Sequence, residues 1–167
     1  MWPGIAILAF VTLQRVSELL LANANTRRLL ALGAVEYGRA HYPLIVALHA
    51  GWLASLWWLA PSRPIHWPFL ILFALLQLGR LWVIRTLGPR WTTRIIIVPG
   101  APLITDGPFR FVSHPNYVVV IGEVAVLPLV FGLWSLALLF SLLNAAVLWV
   151  RVREENRALA RLAPPGP

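Results

Sequence analysis

From Asn116 to Val150 the chain carries a single charged residue, Glu123, in a run of valine, leucine, phenylalanine, tryptophan and alanine. No other feature limits the fold as strongly. A bilayer is crossed once by about 20 mostly apolar residues, and this run is too long for one crossing. Pro128 and the Phe131-Gly132 pair offer a break, because proline removes a helix donor and glycine permits a sharp turn. The run therefore reads as a tight helical hairpin, each arm short for a full crossing.

Three further apolar runs precede it. Trp2 to Ala22 is the first; no basic region precedes it and no small-residue cleavage site follows, so it reads as a retained anchor. Tyr42 to Leu59 is the second, closed by Pro61 and Pro64, and Trp67 to Leu87 is the third, closed by Gly88-Pro89. The expectation is an all-α integral membrane protein of about five transmembrane helices, the last two a tight hairpin, followed by a C-terminal cytoplasmic helix. It is one domain over residues 1–167. Three spans fill 1–87, a cytoplasmic loop 88–115, the hairpin 116–150 and a tail helix 151–167. Composition agrees: 59% hydrophobic and 12% charged residues leave too little charge for a soluble domain. Nine tryptophans suit the boundary between lipid and water.

The net charge of +8 comes entirely with arginine as the basic residue. The arginines lie between apolar runs rather than in a stripe, which speaks for a membrane and against nucleic acid. Arg27, Arg28 and Arg39, then Arg85, Arg90, Arg94 and Arg110, then Arg151, Arg153, Arg157 and Arg161 all fall on one face if there are five spans. The positive-inside rule makes that face cytoplasmic, in a bacterial inner membrane. With no cysteine, thiol and zinc-thiolate chemistry is excluded. His41, His49, His66 and His114 do not form a metal-ligand spacing, so no metal is expected.

Two segments could carry chemistry. In Thr105–Tyr117, Gly107-Pro108 makes a turn and His114 precedes Pro115, which suits the first position of a helix. His114, Asn116 and Tyr117 would cluster at that helix start, as a site or simply as a capped interfacial helix end. In Arg151–Glu155, Arg151 shares a helical face with Glu154 and Glu155. Alone, that pattern reads rather as a solvated surface helix with intrahelical ion pairs. The hairpin returns the chain to the same face, so the two segments could line one pocket.

Gly107-Pro-Phe-Arg-Phe-Val-Ser-His-Pro-Asn-Tyr117, an apolar hairpin and Arg151-x-x-Glu154-Glu155 together resemble the isoprenylcysteine carboxyl methyltransferase family. Gly33–Gly38 with His41-Tyr-Pro43, and Arg90–Arg94 before Pro99-Gly-Ala-Pro102, resemble its bacterial branch, whose members methylate long-chain alkylpyrones. The resemblance implies S-adenosylmethionine as cofactor, with Val98, Gly100, Leu103, His114, Asn116, Tyr117, Glu154 and Glu155 as its candidate partners. It also implies a lipophilic acceptor, prenylcysteine-like or alkylpyrone-like, entering from the bilayer lipids. Where the family often has arginine before His-Pro, this chain has Ser113; Arg110 is the candidate to supply that charge.

Methyl transfer to a carboxylate or enolate oxygen needs alignment more than a strong base. Arginine stays charged and holds oxygen anions in a fork. Arg151 is the first candidate for that role and Arg110 the second, with Glu154 beside them. Tyr117 or Trp91 offers an aromatic face to a sulfonium or adenine. Within the spans, Arg15 and Glu18 are spaced to pair, near Gln14. Arg80 and Arg85 are expected to snorkel or to support the pocket, His49 to make a helix-packing hydrogen bond, and Glu123, one to two turns into the hairpin, to be a lining residue. The competing class is an NADPH-dependent membrane sterol reductase, whose cofactor phosphates would use Arg90, Arg94 and Arg110. A non-enzymatic transporter would need polar groups along several spans. Oligomeric state is not readable from the sequence.

Overall fold

A computed structural model describes residues 2–162; the Ala163–Pro167 end of the expected tail lies outside the described residues. Among the described residues there are five α-helices: α1 (Trp2–Ala31), α2 (Tyr42–Leu59), α3 (Trp67–Leu87), α4 (Pro115–Val130) and α5 (Trp134–Leu162). Two short strands, β1 (Val35–Tyr37) and β2 (Ile95–Ile97), pair antiparallel with Glu36 opposite Ile96. Four helices are long and apolar enough to cross a membrane; α4 is shorter. Phe10, Leu13, Leu20, Trp58, Ile71, Leu75, Leu138 and Leu142 point outward and are exposed. An apolar outer surface of that extent belongs in lipid.

The second and third helices begin and end where the apolar runs do. The first differs. It continues past Ala22 to Ala31, because Arg27, Arg28, Leu29, Leu30 and Ala31 are good helix formers whatever their polarity. The extension anchors a loop, since Asn25 donates to the Trp91 carbonyl at 2.8 Å and so ties α1 to the turn after α3. The fifth also differs. It runs unbroken through Val150-Arg151, so the charged segment is the end of the hairpin's second arm and not a separate tail helix.

The hairpin turns where expected, at Phe131–Leu133, with Gly132 at φ +66°. Pro128 sits inside the last turn of α4 and cannot donate to the Val124 carbonyl four residues back. The indole of Trp52 fills that vacancy, its Nε1 donating to the Val124 oxygen at 3.2 Å. The hairpin tip is level with the other turns at its end of the molecule. The His66 amide donates to the Val130 carbonyl at 2.8 Å, and the rings of Phe69 and Trp134 meet edge-on at 5.6 Å. Leu8, Val11, Trp52, Leu56, Leu127 and Phe131 form the closed interior near this end.

α4 lies between α3 and α5. A Cβ on Gly122 would come within 2.7 Å of Leu76, and one on Gly79 within 3.5 Å of Val119. Small residues here let two backbones approach, as helices in lipid require. Across the middle of the bundle runs an ion network. Glu123 accepts from Arg15 at 2.7 Å, from both Nε and Nη2 of Arg80 at 2.9 and 2.8 Å, and from Gln77 at 2.8 Å. Glu18 accepts from Arg15 and from Gln14, each at 2.9 Å. The expected pairing of Arg15 with Glu18 is present. Arg80 does not snorkel but supports a cavity wall, and Glu123 is not a lining residue; both are buried in the network that joins α1, α3 and α4. His49 bonds within its own helix, Nδ1 to the Ile45 carbonyl at 2.8 Å, rather than to a neighbouring one.

Candidate active site

The site is assembled where α4 begins. Contacts Gly79–Val119 and Leu76–Gly122 set the register of the antiparallel pair α3 and α4. Pro115 is thereby level with about Val83, one turn short of the end of α3. His114–Tyr117 is recessed by about 6 Å below that end. The chain reaches this depth through the Gly107-Pro108 turn. Gly107 has φ +57°, and a Cβ there would fall 2.5 Å from the Thr86 hydroxyl, so only glycine packs the turn onto α3.

Tyr117 and α5 make the polar centre. Arg151 Nε donates to the Tyr117 hydroxyl at 2.9 Å, and that hydroxyl donates in turn to Glu155. The phenol thus bridges two residues one turn apart on α5. The guanidinium of Arg151 also lies over the Tyr117 ring, 5.5 Å from its centre, and is almost wholly buried. His114 stacks on the Tyr117 ring with ring centres 5.2 Å apart, its Nδ1 3.9 Å from Glu155.

A cavity of about 810 Å³ opens beside this centre. Val98, Gly100, Leu103, His114, Asn116, Tyr117, Arg151 and Glu155 line it, together with Trp91, Arg90, Ser113 and Asn156. Two predicted residues stand apart. Glu154 is outside the lining and pairs with Arg157 at 2.9 Å, the ion pair that its spacing also allowed. Arg110 is outside the lining and rests over the Phe111 ring at 5.9 Å, so it does not supply charge beside Ser113.

A second, mostly apolar cavity of about 290 Å³ lies deeper among α1, α2, α4 and α5. It shares Trp91, Thr92, Asn116, Tyr117 and Arg151 with the first, so the two meet at the Arg151–Tyr117 pair. At that junction the Asn116 Oδ1 and Trp91 Nε1 atoms are buried without a hydrogen-bond partner. Unpaired buried polar atoms are costly, and both residues stand in the walls of the two cavities.

The strand ribbon, absent from the sequence expectations, holds the wall between the cavities. Arg94 Nη1 donates to Glu36 at 2.8 Å, and Arg39 adds a second ion pair at 3.0 Å. The Arg94 guanidinium covers the Tyr42 ring at 4.5 Å, and the Tyr42 and Thr93 hydroxyls are 3.0 Å apart. Partial burial pushes the Glu36 carboxyl up, but the hydrogen bonds from Arg94 and Arg39 outweigh it and hold its pKa below the ordinary value. The signal for the ribbon was present in Ile95-Ile96-Ile97, a β-branched run in a segment otherwise made of turns. Arg90 donates to the Pro102 carbonyl at 2.8 Å, which fixes the strand-to-turn segment across the cavity.

Residues 69–161, more than half of the chain, match the isoprenylcysteine carboxyl methyltransferase (ICMT) family. An uncharacterized protein of Bacillus subtilis (strain 168), YpbQ, is 37% identical over 158 residues, which cover 92% of this chain and 94% of that one. An uncharacterized protein of Haemophilus influenzae (strain ATCC 51907 / DSM 11121 / KW20 / Rd) is 26% identical over 158 residues, covering 90% and 91%. No solved structure matches. The chain belongs to the isoprenylcysteine carboxyl methyltransferase family, a family of membrane methyltransferases.

Proposed function

We propose that this protein is an S-adenosylmethionine-dependent O-methyltransferase that modifies a carboxylate, enol or phenol oxygen of a lipophilic acceptor drawn from the bilayer. The meeting of two cavities at Arg151 and Tyr117 carries the reading. One cavity is wide and polar enough for a nucleoside; the other is narrow, apolar and set among membrane helices. At about 810 Å³ the first lies within the roughly 300–1,000 Å³ of small-molecule sites.

The residues present fit the cofactor. Glu155 offers a carboxylate to an ammonium or to ribose hydroxyls. The unpartnered Asn116 and Trp91 atoms offer an acceptor and a donor. Val98, Gly100, Leu103 and His114 supply the remaining wall. When bound, the cofactor supplies an electrophilic methyl on a sulfonium. The protein's own work is placement. Arg151 keeps its charge, and with Nε engaged by Tyr117 its terminal nitrogens are left to hold an acceptor oxygen. Tyr117, pinned by Arg151 and Glu155, fixes that guanidinium. Burial of Arg151, with Tyr117 half-buried beside it, limits the water that can compete for the oxygen. Of the three arginines that would suit the phosphates of NADPH, Arg94 is paired with Glu36, Arg90 holds Pro102, and Arg110 stands outside the cavity. That leaves Arg90, bonded only to a neutral carbonyl, as the one unpaired cation of the three in the cavity wall, a weaker anion site than the reductase reading calls for.

In this reading the helices cross the membrane five times, and the face bearing the ribbon and the arginine-rich end of α5 is cytoplasmic. Calorimetry on detergent-purified protein tests the class. S-adenosylmethionine and its demethylated product should bind in the micromolar range and NADPH should not. Binding of NADPH alone would overturn the proposal. Prenylcysteine and alkylpyrone acceptors, assayed with methyl-labelled cofactor, would then separate the two substrate classes.

A further inference from the structure

The deeper cavity carries a polar girdle that a bare hydrocarbon chain would not need. Along α2 its lining runs from Tyr42 to Leu53, a depth of about 16 Å at the helical rise. Val16, Leu19 and Val46 line it and are themselves exposed on the outer surface, so it opens sideways between α1 and α2. Roughly 10 Å below Tyr42, by the same rise, His49 joins Arg15, Glu18, Arg80 and Asn144 in the lining.

The charged members are already matched. Both terminal nitrogens of Arg15 donate to carboxylates, Arg80 is bidentate to Glu123, and two arginines balance two glutamates. His49 and Asn144 differ. The Ile45 carbonyl beside His49 Nδ1 can only accept, so Nδ1 carries the proton and Nε2 of the neutral ring remains an acceptor. Asn144 is 2% exposed, and its amide brings both a donor and an acceptor. α2 and α5 run antiparallel with Gly51 facing Phe140, which sets Asn144 at about the depth of His49.

We propose that His49 and Asn144 form a second polar contact point in the acceptor cavity, for a neutral hydroxyl about 10 Å from the oxygen that is methylated, the spacing from Arg151 back to Asn144 along α5. The proposal rests on the methyltransferase reading and narrows its substrate class. A hydroxyl would donate to His49 Nε2 and accept from the Asn144 amide. An unsubstituted isoprenoid or alkyl chain would desolvate both groups and pair neither, which costs affinity. The tail beyond the hydroxyl would leave through the opening between α1 and α2.

Paired probes test this. Binding of 10-hydroxystearate and of stearate to the purified protein is measured by calorimetry, with S-adenosylmethionine titrated separately. Each fatty acid presents a carboxylate to Arg151, and only the first has a hydroxyl at the girdle's depth. The wild type should favour the hydroxylated acid about tenfold, the worth of one good hydrogen bond. His49→Phe and Asn144→Leu should each shrink that preference to under about threefold, with stearate binding as well as or better than to the wild type because the polar group it would desolvate is gone. Equal affinities in the wild type overturn the proposal. So does a preference that survives both substitutions, or failure of both acids to bind a protein that still binds S-adenosylmethionine. The parent reading fails separately, by loss of S-adenosylmethionine binding with the hydroxyl preference intact.

Discussion

Arg151 and Tyr117 act as one unit, and single-atom changes can take that unit apart. Tyr117→Phe keeps the ring against His114 and removes only the hydroxyl between Arg151 and Glu155. The guanidinium would lose its anchor, so methyl transfer should fall at least about tenfold while cofactor affinity changes little. Arg151→Lys keeps the charge but loses the fork, and kcat/KM for methyl transfer should drop about a hundredfold. An unchanged rate in that variant would remove Arg151 from acceptor orientation. The two glutamates separate by the same logic. Glu155 lines the cavity and bonds Tyr117, whereas Glu154 is outside the lining and pairs with Arg157. Glu155→Gln should weaken S-adenosylmethionine binding about tenfold, and Glu154→Gln less than twofold, read by calorimetry. The sequence pattern could not make this distinction. Positions three and four beyond Arg151 both share its helical face, and only the approach of α4 decides which one meets Tyr117.

The β1–β2 ribbon is small but governs the wall between the cavities through Glu36, Arg94, Tyr42 and Thr93. Because the folded-state pKa of Glu36 is depressed, its contribution to stability is complete above the ordinary glutamate value of about 4.3 and is lost as pH falls through the folded value. Glu36→Gln should therefore lower the thermal midpoint at pH 7. The gap from wild type should close as the pH is taken below about 4 in detergent melts. A gap independent of pH would show that the carboxylate's charge is not what holds Arg94. Element by element, legibility followed the physical signal. α2 and α3 could be read because apolarity and helicity begin and end together there. The last turns of α1 were hidden because a polar helix looks like a loop when only apolar length is counted. Three-residue strands leave no period to detect. The turn at Gly132 was readable, yet nothing in the sequence said that Trp52 would take over the carbonyl freed by Pro128.

At the scale of the whole molecule the open question is how far α4 and α5 reach, and the contacts at the hairpin tip argue that they reach as far as the longer helices. α4 has 16 residues, about 24 Å against a hydrocarbon core of roughly 30 Å. Length alone would leave the tip buried. But α4 starts about one turn inside the end of α3, and its far end is pinned level with the α2–α3 connection by the bond from His66 to Val130. A Cβ on Gly4, at the start of α1, would lie 3.4 Å from Phe131 and 3.5 Å from the Pro61 carbonyl. The start of α1, the α2–α3 connection and the hairpin tip thus share one level. The shortness of α4 is taken up at the opposite end, where it sinks the candidate site below the surface. Because the chain has no cysteine, single introduced thiols report on this without background. In intact cells a membrane-impermeant maleimide should label Ser62→Cys and Trp134→Cys alike, and Asp106→Cys only after permeabilisation. Labelling of Ser62→Cys with protection of Trp134→Cys in both conditions would mean that the hairpin stops within the bilayer. The recessed start of α4 would then have to be explained by a site that faces lipid rather than one enclosed by protein.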